Sequence, residues 1–377
     1  MDAAYSWHPG ISRVVSKWAV PVPLLPDELL SSWLVRAALT QGCDPLVFTG
    51  ELWPKWRIWT RDPDRGLSQE RFSVLAEASG IKVSAFKAAC LPAVISATVT
   101  EFFEDFAIWP WVLAFGSRNR KRHGGLQYCP LCLKGDKKPY YRMQWRLAWH
   151  TSCPRHGACL FDRCPNCAAT IEPHRLSAFD GDIAICATCK HDLRDTVTLR
   201  INSDALAFQQ AADRAVRQGG KERYGINKLS SHQWFALSRY FVRLLRKVAL
   251  GKSEGLVAFA KTLGVDTAAI ASPATGLALE LLPVQERALL LAGAWRILEA
   301  GPEQLLVAAK AASINASILR ERHQAVSSCV EGIIQALPEK SVSRRRREQQ
   351  GILKPRSRLA VMRMFARLHR KVQLVAR

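Results

Sequence analysis

The chain has 377 residues, of which 48% are hydrophobic, and its 54 basic and 32 acidic residues give a formal net charge of +22. This length is enough for two or three domains with their own cores. No run approaches the eighteen or more apolar residues of a membrane span, which predicts a cytoplasmic protein with no membrane partner.

The basic surplus is concentrated in two segments. Residues 340–377 carry thirteen Lys or Arg against one acid, and residues 118–146 carry nine against one. A single charged run is usually a solvated surface, but two runs beside candidate binding elements favour a polyanionic partner. Nucleic acid is the first candidate.

Residues 1–25 are interpreted as an irregular lead-in, and a helix is predicted to begin at Pro26. Proline suits the first turn, and the acids Asp27 and Glu28 behind it favour the positive end of the helix dipole. Apolar side chains then recur at helical spacing and predict one buried face. They are Leu29, Leu30, Trp33, Leu34 and Ala37. The pattern favours a solvated Arg36, with a bond to a nearby carboxylate as the alternative.

Residues 50–66 are rich in tryptophan and proline, which predicts a loop or short turns. Their tryptophans and cations are Trp53, Lys55, Trp56, Arg57, Trp59 and Arg61. We interpret the tryptophans as anchors that pin a long loop to the core. The alternative is that they stack on bases or on guanidinium groups.

Two short helices around a glycine are predicted next. The first covers residues 68–79 and stops at Gly80, and the second covers residues 84–90 with Ser84 as its cap. This arrangement is consistent with a helix-turn-helix. Residues 93–115 are apolar and aromatic and predict a core helix that runs towards the following segment.

Four pairs of ligand-type residues, each with two residues between its members, lie within residues 128–193. They are Cys129 with Cys132, Cys153 with His156, Cys164 with Cys167, and Cys186 with Cys189. Twenty residues separate the first two pairs and eighteen the last two, and both separations suit closure of a tetrahedral zinc site. The pattern predicts two zinc ions per chain. Four protein ligands leave no open coordination position, so each site is predicted to be structural and not catalytic.

Alternatives to these ligand sets remain. His150 could replace His156, and Cys159 lies close by, although regular spacing favours His156. Disulfide pairing is the competing explanation, but the apolar residues 17–25 are too short and too interrupted by proline for a signal peptide. The remaining cysteines are interpreted as ordinary buried thiols. They are Cys43, Cys90, Cys159 and Cys329.

Basic and aromatic residues surround the first ligand pairs. Residues 140–150 favour the short β-strands that zinc ribbons place in this position. Residues 117–122 form a basic loop before the first pair and are a candidate contact for nucleic acid or a partner. The candidate residues are Arg118, Arg120, Lys121 and Arg122.

Helical periodicity returns after the metal-ligand segment. Helices are predicted over residues 204–250, 256–263, 277–281 and 284–300. Gly301 and Pro302 break the chain, a new helix follows, and a turn at residues 313–315 leads into residues 317–337. This last part resembles a second helix-turn-helix or a tight helical hairpin.

The end of the chain is basic. Residues 341–355 predict a short helix capped by Ser341 or Ser343, with a disordered basic arm as the alternative. Beyond it, apolar and basic residues alternate with the period of a basic amphipathic helix. The candidate nucleic-acid or partner contacts are Arg344, Arg345, Arg346, Arg347, Arg363 and Arg367.

These patterns predict a mainly α fold with small zinc-ribbon β elements, in four parts. They are a helical, helix-turn-helix-like region at 1–117, a tandem zinc-binding region at 118–200, a helical domain with a helix-turn-helix-like hairpin at 201–338, and a basic helical tail at 339–377. No nucleophile elbow, phosphate loop or HExxH motif occurs in the sequence, which predicts no catalytic residues. The interpretation is a zinc-stabilised, nucleic-acid-associated adaptor that is not an enzyme.

Three sequence segments together resemble the TniQ family. They are PDELLSSWLVR near the start, the tryptophan-rich loop at residues 53–62, and YCPLC…W…CPRHG…CPNC…CATCKHDL. The resemblance covers about residues 24–195, and it is looser in the C-terminal half, where it depends on the hairpin and the GILKP segment. It implies that the two predicted ligand sets each hold one zinc ion.

The resemblance also implies a target-selection subunit of a bacterial transposition system and not the transposase itself. Some family members, related to TnsD proteins, bind attachment-site DNA. Others dimerise, dock on a CRISPR RNA-guided effector complex and recruit the AAA+ transposition regulator that leads the transposase machinery to its target. The expectation is a homodimeric adaptor that uses either target DNA or an RNA-guided complex. The alternative is a sequence-specific, zinc-containing helix-turn-helix DNA-binding protein, either an attachment-site selector or a transcription regulator.

Overall fold

The computed structural model describes residues 17–100, 108–115, 126–219, 222–251, 253–270, 277–320 and 328–339, together with residues 357, 358, 361, 362 and 365. Contacts divide the chain into two compact units, Met1–Pro338 and Glu339–Arg377. The described part is mainly helical with a few very short strands, which confirms the predicted fold class. The finer division of the chain into four domains stays a prediction.

The described N-terminal part of the first unit contains five short α-helices and the 3₁₀ turns Ile58–Thr60 and Pro63–Arg65. The helices are α1 (Leu30–Thr40), α2 (Pro45–Leu52), α3 (Gln69–Ser79), α4 (Val83–Ala88) and α5 (Pro92–Ser96). Trp33 of α1 is fully buried, and its ring meets that of Phe86 of α4 at a centroid distance of 4.7 Å. This contact lies within an apolar core that all four of the helices α1 to α4 share.

Helix α1 begins four residues later than predicted. The residue Asp27 has a left-handed backbone with φ of 55°, and the amide of Leu29 donates to Tyr141 instead of entering a helix. The predicted solvated state of Arg36 is wrong, because its guanidinium is buried and bonds both oxygens of Glu28 at 2.7 and 2.8 Å. Burial raises the pKa of Glu28, although the contact with Arg36 acts against this rise.

The predicted pair of helices around Gly80 is present. Gly80 ends α3 in the left-handed conformation that glycine adopts without strain. The second helix, α4, begins at Val83 with Lys82 at its cap position, so the prediction that Ser84 caps it is wrong. Helix α2 was not predicted, because its residues Gly50 to Leu52 fell within the segment interpreted as a loop.

The predicted core helix over residues 93–115 is wrong. Helix α5 ends at Ser96, and residues 97–100 and 108–115 are not helical. Trp109 and Trp111 are buried as expected, but their segment pairs with the chain near residue 147. The amide of Leu113 donates to Arg146, and that of Ala148 donates to Trp111. A backbone bonded in this extended manner cannot also make helical hydrogen bonds.

The middle part, residues 126–200, contains little regular structure. Helix α6 (Pro130–Gly135) is followed by the antiparallel strands β1 (Ser152–Cys153) and β2 (Ala158–Cys159). The strands predicted over residues 140–150 are wrong, because that stretch forms the 3₁₀ turn Met143–Arg146. Three further 3₁₀ turns follow, at Pro173–Arg175, Ala178–Asp180 and Leu193–Asp195.

The described C-terminal part of the first unit is built from helices of 4 to 28 residues. They are α7 (Ser203–Gln218), α8 (Ser231–Ala249), α9 (Glu254–Thr262), α10 (Val284–Ala311), α11 (Ala316–Leu319) and α12 (Ser328–Gln335). The predicted break at Gly301 is confirmed by its non-helical φ of 76° within α10. Within residues 277–281, only Leu279–Leu281 is helical, as a 3₁₀ turn.

The predicted helix over residues 204–250 is two helices with a hairpin between them. Gly219 ends α7 with a left-handed backbone, and β3 (Arg223–Tyr224) then pairs with β4 (Asn227–Lys228). The hairpin turns at Gly225, where an added Cβ would lie 2.7 Å from the ring of Pro302. The chain therefore reverses so that α8 packs beside α7.

The C-terminal helices pack directly on the middle part. The Trp111 ring lies 5.4 Å from that of Phe235 of α8, and the Glu280 carboxylate accepts from the Trp111 amide at 2.7 Å. The buried Arg287 of α10 donates to the carbonyl of Ala148 and to the side chain of Gln127, both at 2.6 Å. Through these contacts the C-terminal helices pack against one side of the metal-ligand segment.

The second unit is described at a few positions of its final segment. Residues 358, 361, 362 and 365 are helical, and the amide of Val361 donates to the carbonyl of Ser357. The side chains of Val361 and Phe365, which the sequence assigned to one apolar face, are exposed. Among the described helices, none combines the length and apolar character needed to cross a membrane.

Candidate metal centres

The first four predicted ligands converge on one point. The sulfur of Cys132 lies 3.6 Å from that of Cys153. Nδ1 of His156 lies 3.5 Å from the sulfur of Cys129, 3.3 Å from that of Cys132 and 3.6 Å from that of Cys153. We call Cys129, Cys132, Cys153 and His156 the first cluster. All of its ligand atoms lie within 4.8 Å of one another, so the cluster could hold a metal ion.

The second four predicted ligands converge in the same way. The sulfur of Cys164 lies 3.6 Å from that of Cys189, and the sulfur of Cys167 lies 3.7 Å from that of Cys186. We call these four cysteines the second cluster. Their four sulfur atoms also lie within 4.8 Å of one another, so this cluster too could hold a metal ion.

Three of the four ligand pairs close with the same backbone turn. The residue after the second ligand is left-handed, with φ of 57° at Gly157, 56° at Ala168 and 62° at Lys190. Its amide donates to the carbonyl of the first cysteine of the pair, at 2.9, 3.0 and 2.9 Å respectively. Non-glycine residues rarely adopt this conformation, and here it turns both ligand side chains to the same side.

The remaining pair, Cys129 and Cys132, is positioned by a helix. Cys129 is the N-cap of α6, and Pro130 occupies the first turn, where its missing amide leaves no donor unpaired. The amide of Leu133 donates to the carbonyl of Cys129 at 3.1 Å. One turn of helix therefore brings the two sulfurs together in place of the left-handed turn.

The two clusters differ in exposure. The three sulfurs of the first cluster belong to buried residues of the large apolar core, and His156 is half-buried. In the second cluster Cys164 and Cys186 are buried, Cys189 is half-buried and Cys167 is exposed. Solvent and chelators therefore have easier access to the second cluster.

The alternative ligands do not enter either cluster. Nε2 of His150 lies 2.8 Å from a carboxylate oxygen of Asp213 on α7, which holds that ring against the C-terminal helices. The thiol of Cys159 contacts the carbonyl of Arg200. The structure thus places His156, and not His150, in the first cluster, as the regular spacing had favoured.

No disulfide forms among the eleven cysteines, all of which lie in the described part of the chain. Of the four cysteines outside the clusters, only Cys90 is buried. Cys43, Cys159 and Cys329 are half-buried, so the prediction of buried thiols is wrong for these three. They come from loops and helix edges, where a small side chain can remain partly accessible.

The cluster thiols perturb one another strongly. Contact with Cys129 raises the pKa of Cys132 and lowers the pKa of Cys153. In the second cluster, burial raises the pKa of Cys164 to about 12, whereas the side-chain amide of Asn166 lowers the pKa of Cys189 to about 6. Three thiolates in the first cluster and four in the second repel one another at these distances, and a bound cation is what allows all of them to lose their protons.

A buried ion-pair network, which the sequence analysis missed, joins the N-terminal helices to the middle part. The fully buried guanidinium of Arg146 donates at 2.5 Å to Asp64 and at 2.5 Å to Asp62. Asp64 also accepts from the amide and hydroxyl of Ser31, at 2.7 and 2.9 Å. Burial raises the pKa of Asp64 to about 6, and the nearby Arg146 opposes this rise. In the sequence, Arg61 and Arg65 beside these acids suggest only local pairing.

The tryptophan-rich loop is pinned to the core, as the favoured interpretation predicted. Trp53 is buried, and the ring of Trp59 stacks on that of His174 with centroids 5.0 Å apart. The alternative of guanidinium stacking also applies to one residue, because Arg71 lies 3.9 Å from the ring centroid of Trp56.

The candidate nucleic-acid contacts cannot be placed in the same way. All ten lie outside the described residues. They are Arg118, Arg120, Lys121, Arg122, Arg344, Arg345, Arg346, Arg347, Arg363 and Arg367. Their roles stay predictions.

Fold and sites together define a mainly helical protein with a tandem Cys-rich segment able to bind two metal ions. Residues 19–160 match the TniQ family model. Residues 19–160 therefore form a TniQ domain, which supports the resemblance that the sequence indicated. The match contains the whole first cluster and ends before the second. A comparison with curated proteins found no match. A TniQ domain indicates a role associated with transposition, in target selection or DNA binding.

Proposed function

We propose that this protein is a non-catalytic target-selection adaptor of a bacterial Tn-type transposition system. In this role it links target DNA or a CRISPR RNA-guided effector complex to the AAA+ regulator, which then engages the transposase. The observation that carries the proposal is the TniQ match over residues 19–160 together with the first cluster inside it. The adaptor acts by holding partners and not by turning over a substrate.

The proposed metal is zinc in both clusters. A tetrahedral zinc ion with Zn–S bonds of about 2.3 Å separates two sulfurs by about 3.8 Å, and with a Zn–N bond of about 2.0 Å it separates sulfur from nitrogen by about 3.5 Å. Three of the sulfur pairs lie 3.6 to 3.7 Å apart, and all ligand atoms of each cluster lie within 4.8 Å of one another. The sulfur to nitrogen distances in the first cluster are 3.3 to 3.6 Å. Thiolate and imidazole donors are also those that zinc prefers in structural sites.

The proposed role of the zinc ions is structural. Each cluster supplies four protein ligands, so a tetrahedral ion has no position left for water or substrate. The ions tie short turns into a rigid body on which the helices α7, α8 and α10 pack. This rigidity suits an adaptor that must present two partner surfaces in a fixed relation.

A homodimer is part of the proposal, as the resemblance to TniQ implies. The competing function is a sequence-specific DNA-binding protein that reads an attachment site or an operator. The helix pair α3 and α4 around Gly80 is the observation that favours this alternative. A discrete footprint made by the purified protein alone on one DNA sequence supports it, whereas association only with a guide-RNA complex supports the adaptor.

The proposal is tested by removing the second cluster. We expect the double substitution Cys164→Ser with Cys167→Ser to lower the zinc content from two ions to one per chain. It should also abolish transposition in cells that supply the regulator, transposase and target complex. Zinc is measured by elemental analysis of purified protein, and transposition by counting insertions.

Cys159→Ser is the matched control, because this thiol lies in the same region but outside both clusters. The control should keep two zinc ions and normal insertion frequency. A double variant that retains normal transposition after losing its zinc would overturn the structural role. A wild-type chain that binds less than one zinc would overturn the metal assignment.

A further inference from the structure

A basic cavity of about 600 Å³ opens between the tryptophan-rich loop and the helices α3 and α4. Four of its lining residues are basic and one is acidic. The basic residues are Arg61, Arg65, Arg71 and Lys87, and the acid is Asp62. None of them belongs to a metal cluster or to the ten candidate contacts taken from the two basic segments.

The single acid in the lining is already paired. Asp62 accepts from Arg146 at 2.5 and 3.1 Å, and Arg65 lies 3.5 Å from the same carboxylate. The Arg65 guanidinium also lies 4.6 Å from the ring centroid of Trp109. Asp62 and Arg65 are thus part of the buried network and leave the charge of the other three cations uncompensated.

The other three cations form no ion pair in the part of the chain that the structure describes. No carboxylate lies within ion-pairing distance of Arg61, Arg71 or Lys87 there. The carboxylate of Glu70 accepts from Ser68, whose hydroxyl lowers the pKa of that carboxyl, and the charge of Arg71 lowers the same pKa to a smaller extent. Arg61 and Lys87 are exposed and Arg71 is half-buried, so their charges are presented at the mouth and wall of one concavity.

Arg71 is held in place by its neighbours. Its guanidinium stacks on Trp56 at 3.9 Å from the ring centroid, and Nη1 lies 3.4 Å from the hydroxyl of Ser68. The Trp56 ring in turn meets Trp53 edge-on with centroids 5.5 Å apart. A cation fixed in this manner loses less side-chain entropy when it binds an anion than a free surface lysine does.

We propose that this cavity binds the phosphodiester backbone of DNA, with Arg61, Arg71 and Lys87 as the phosphate-contacting residues. Three like charges around one cavity are electrostatically unfavourable until an anion enters, and guanidinium groups suit phosphate oxygens. The proposal deepens the DNA-binding side of the proposed function and rests on it. It adds a contact that carries no base specificity and that positions the duplex.

The test compares the affinity of purified zinc-loaded protein for a fluorescein-labelled duplex of 30 base pairs across salt concentrations. Each lost phosphate contact lowers the slope of log affinity against log salt by about 0.9. We therefore expect Arg61→Ala with Lys87→Ala to reduce the slope by about 1.8. If the two proteins bind equally at 1 M salt, this corresponds to about a 60-fold loss of affinity at 0.1 M.

Two further variants distinguish the cavity from general charge. Lys261→Ala with Lys310→Ala removes two exposed lysines of α9 and α10 and should leave both the slope and the affinity near the wild-type values. Arg61→Lys with Lys87→Arg keeps both charges and should retain the slope. Thermal unfolding of each variant should match that of the wild type, because Arg61 and Lys87 are exposed.

Three results would overturn the proposal. One is wild-type protein that binds no DNA by itself, and another is an equal loss in the Lys261 and Lys310 control. The third is an unchanged salt slope with a lower melting temperature, which would mean that the cations hold acidic groups of the protein itself. None of these results bears on zinc content or on transposition in cells, so failure of the cavity and failure of the adaptor function are distinguishable.

Discussion

The middle part of the first unit and its C-terminal helices are stabilised in different ways. Residues 126–200 contain one six-residue helix and two strands of two residues each. Residues 203–311 contain helices of 16, 19 and 28 residues, the last of them kinked at Gly301. The first region depends on metal ligands, whereas the second depends mainly on apolar faces that pack on one another.

This difference follows from the lengths of the helices and strands in the two regions. A two-residue strand or a single helical turn fixes many backbone dihedrals for few hydrogen bonds, so it is unstable alone. Helix α8 buries a continuous face that includes Trp234, Phe235 and Phe241, which stabilises it through tertiary packing. In the middle part, the short turns are stabilised in a comparable way where ligands from distant turns bind one metal ion at a cluster.

Metal removal should therefore separate the two regions, and it is the largest effect we expect. Structural zinc contributes about 10–16 kcal/mol in zinc-finger peptides, as much as the whole stability of an ordinary domain. After chelation we expect the amides of residues 126–200 to lose protection from hydrogen exchange, while α7, α8 and α10 keep most of theirs. Exchange followed by mass spectrometry measures both regions in one sample.

The same experiment orders the two clusters. Because Cys167 is exposed and the first-cluster sulfurs are buried, the second cluster should release its metal first as chelator is added. Protection should disappear around residues 164–189 before it disappears around residues 129–156. Simultaneous loss in the middle part and in the C-terminal helices would contradict the comparison, since it would mean that both regions depend on the metal equally.

The buried ion-pair network of Arg146 with Asp62 and Asp64 is a second feature that stabilises the N-terminal and middle parts. Asp64→Ala leaves the guanidinium of Arg146 buried with only Asp62 as its acidic partner. Breaking a buried pair on one side typically costs about 3–5 kcal/mol. We expect urea unfolding of the zinc-loaded protein to show a loss of this size.

The matched control is an exposed pair in the C-terminal helices. Arg296 of α10 bonds Asp204 of α7 at 2.7 Å, with about 44% and 26% of the two side chains accessible. Exposed pairs contribute about 0–1 kcal/mol, so Asp204→Ala should change stability by no more than that. Equal losses in Asp64→Ala and Asp204→Ala would mean that burial of the network does not matter.

Sequence patterns predicted the helices of the C-terminal part in outline, and in the middle part they predicted the metal ligands. The apolar period of α8 and the break at Gly301 were readable because helical spacing repeats over many residues. The ligand pairs were readable because two intervening residues suit a metal-binding turn. The left-handed turns at Ala168 and Lys190 were not predicted, since neither residue type signals such a conformation.

The wrong core helix and the missed buried contacts share one physical cause, which is pairing between residues that are far apart in the chain. The segment around Trp109 and Trp111 has the composition of a core helix, but it pairs with the chain near residue 147. Arg146 reaches acids more than eighty positions away, and Arg287 reaches the carbonyl of Ala148. Partners at these separations are set by the tertiary fold, and local periodicity contains no information about them.

A pH-dependent effect smaller than that of Asp64→Ala is expected at His174, where an aromatic cluster joins the middle part to the tryptophan-rich loop. The imidazole stacks on Trp59 and lies 5.6 Å from the ring of Phe115. Burial, assisted by the charge of Arg175, lowers the pKa of His174 to about 4. An unfolded histidine titrates near 6.5, so below that pH the unfolded chain binds a proton that the folded chain does not.

The free energy of unfolding should therefore fall as the pH is lowered from 7 to 5, and this group should contribute about 2 kcal/mol of the fall. His174→Phe keeps an aromatic ring against Trp59 but removes the titration. Both proteins share the metal clusters and their acid sensitivity, so the difference between their unfolding free energies isolates the histidine. We expect the free energy of unfolding of the wild type to fall relative to that of the variant as the pH is lowered, by about 2 kcal/mol over this range. A constant difference would mean that His174 accepts a proton without leaving its aromatic neighbours, and that this junction tolerates charge as an exposed surface does.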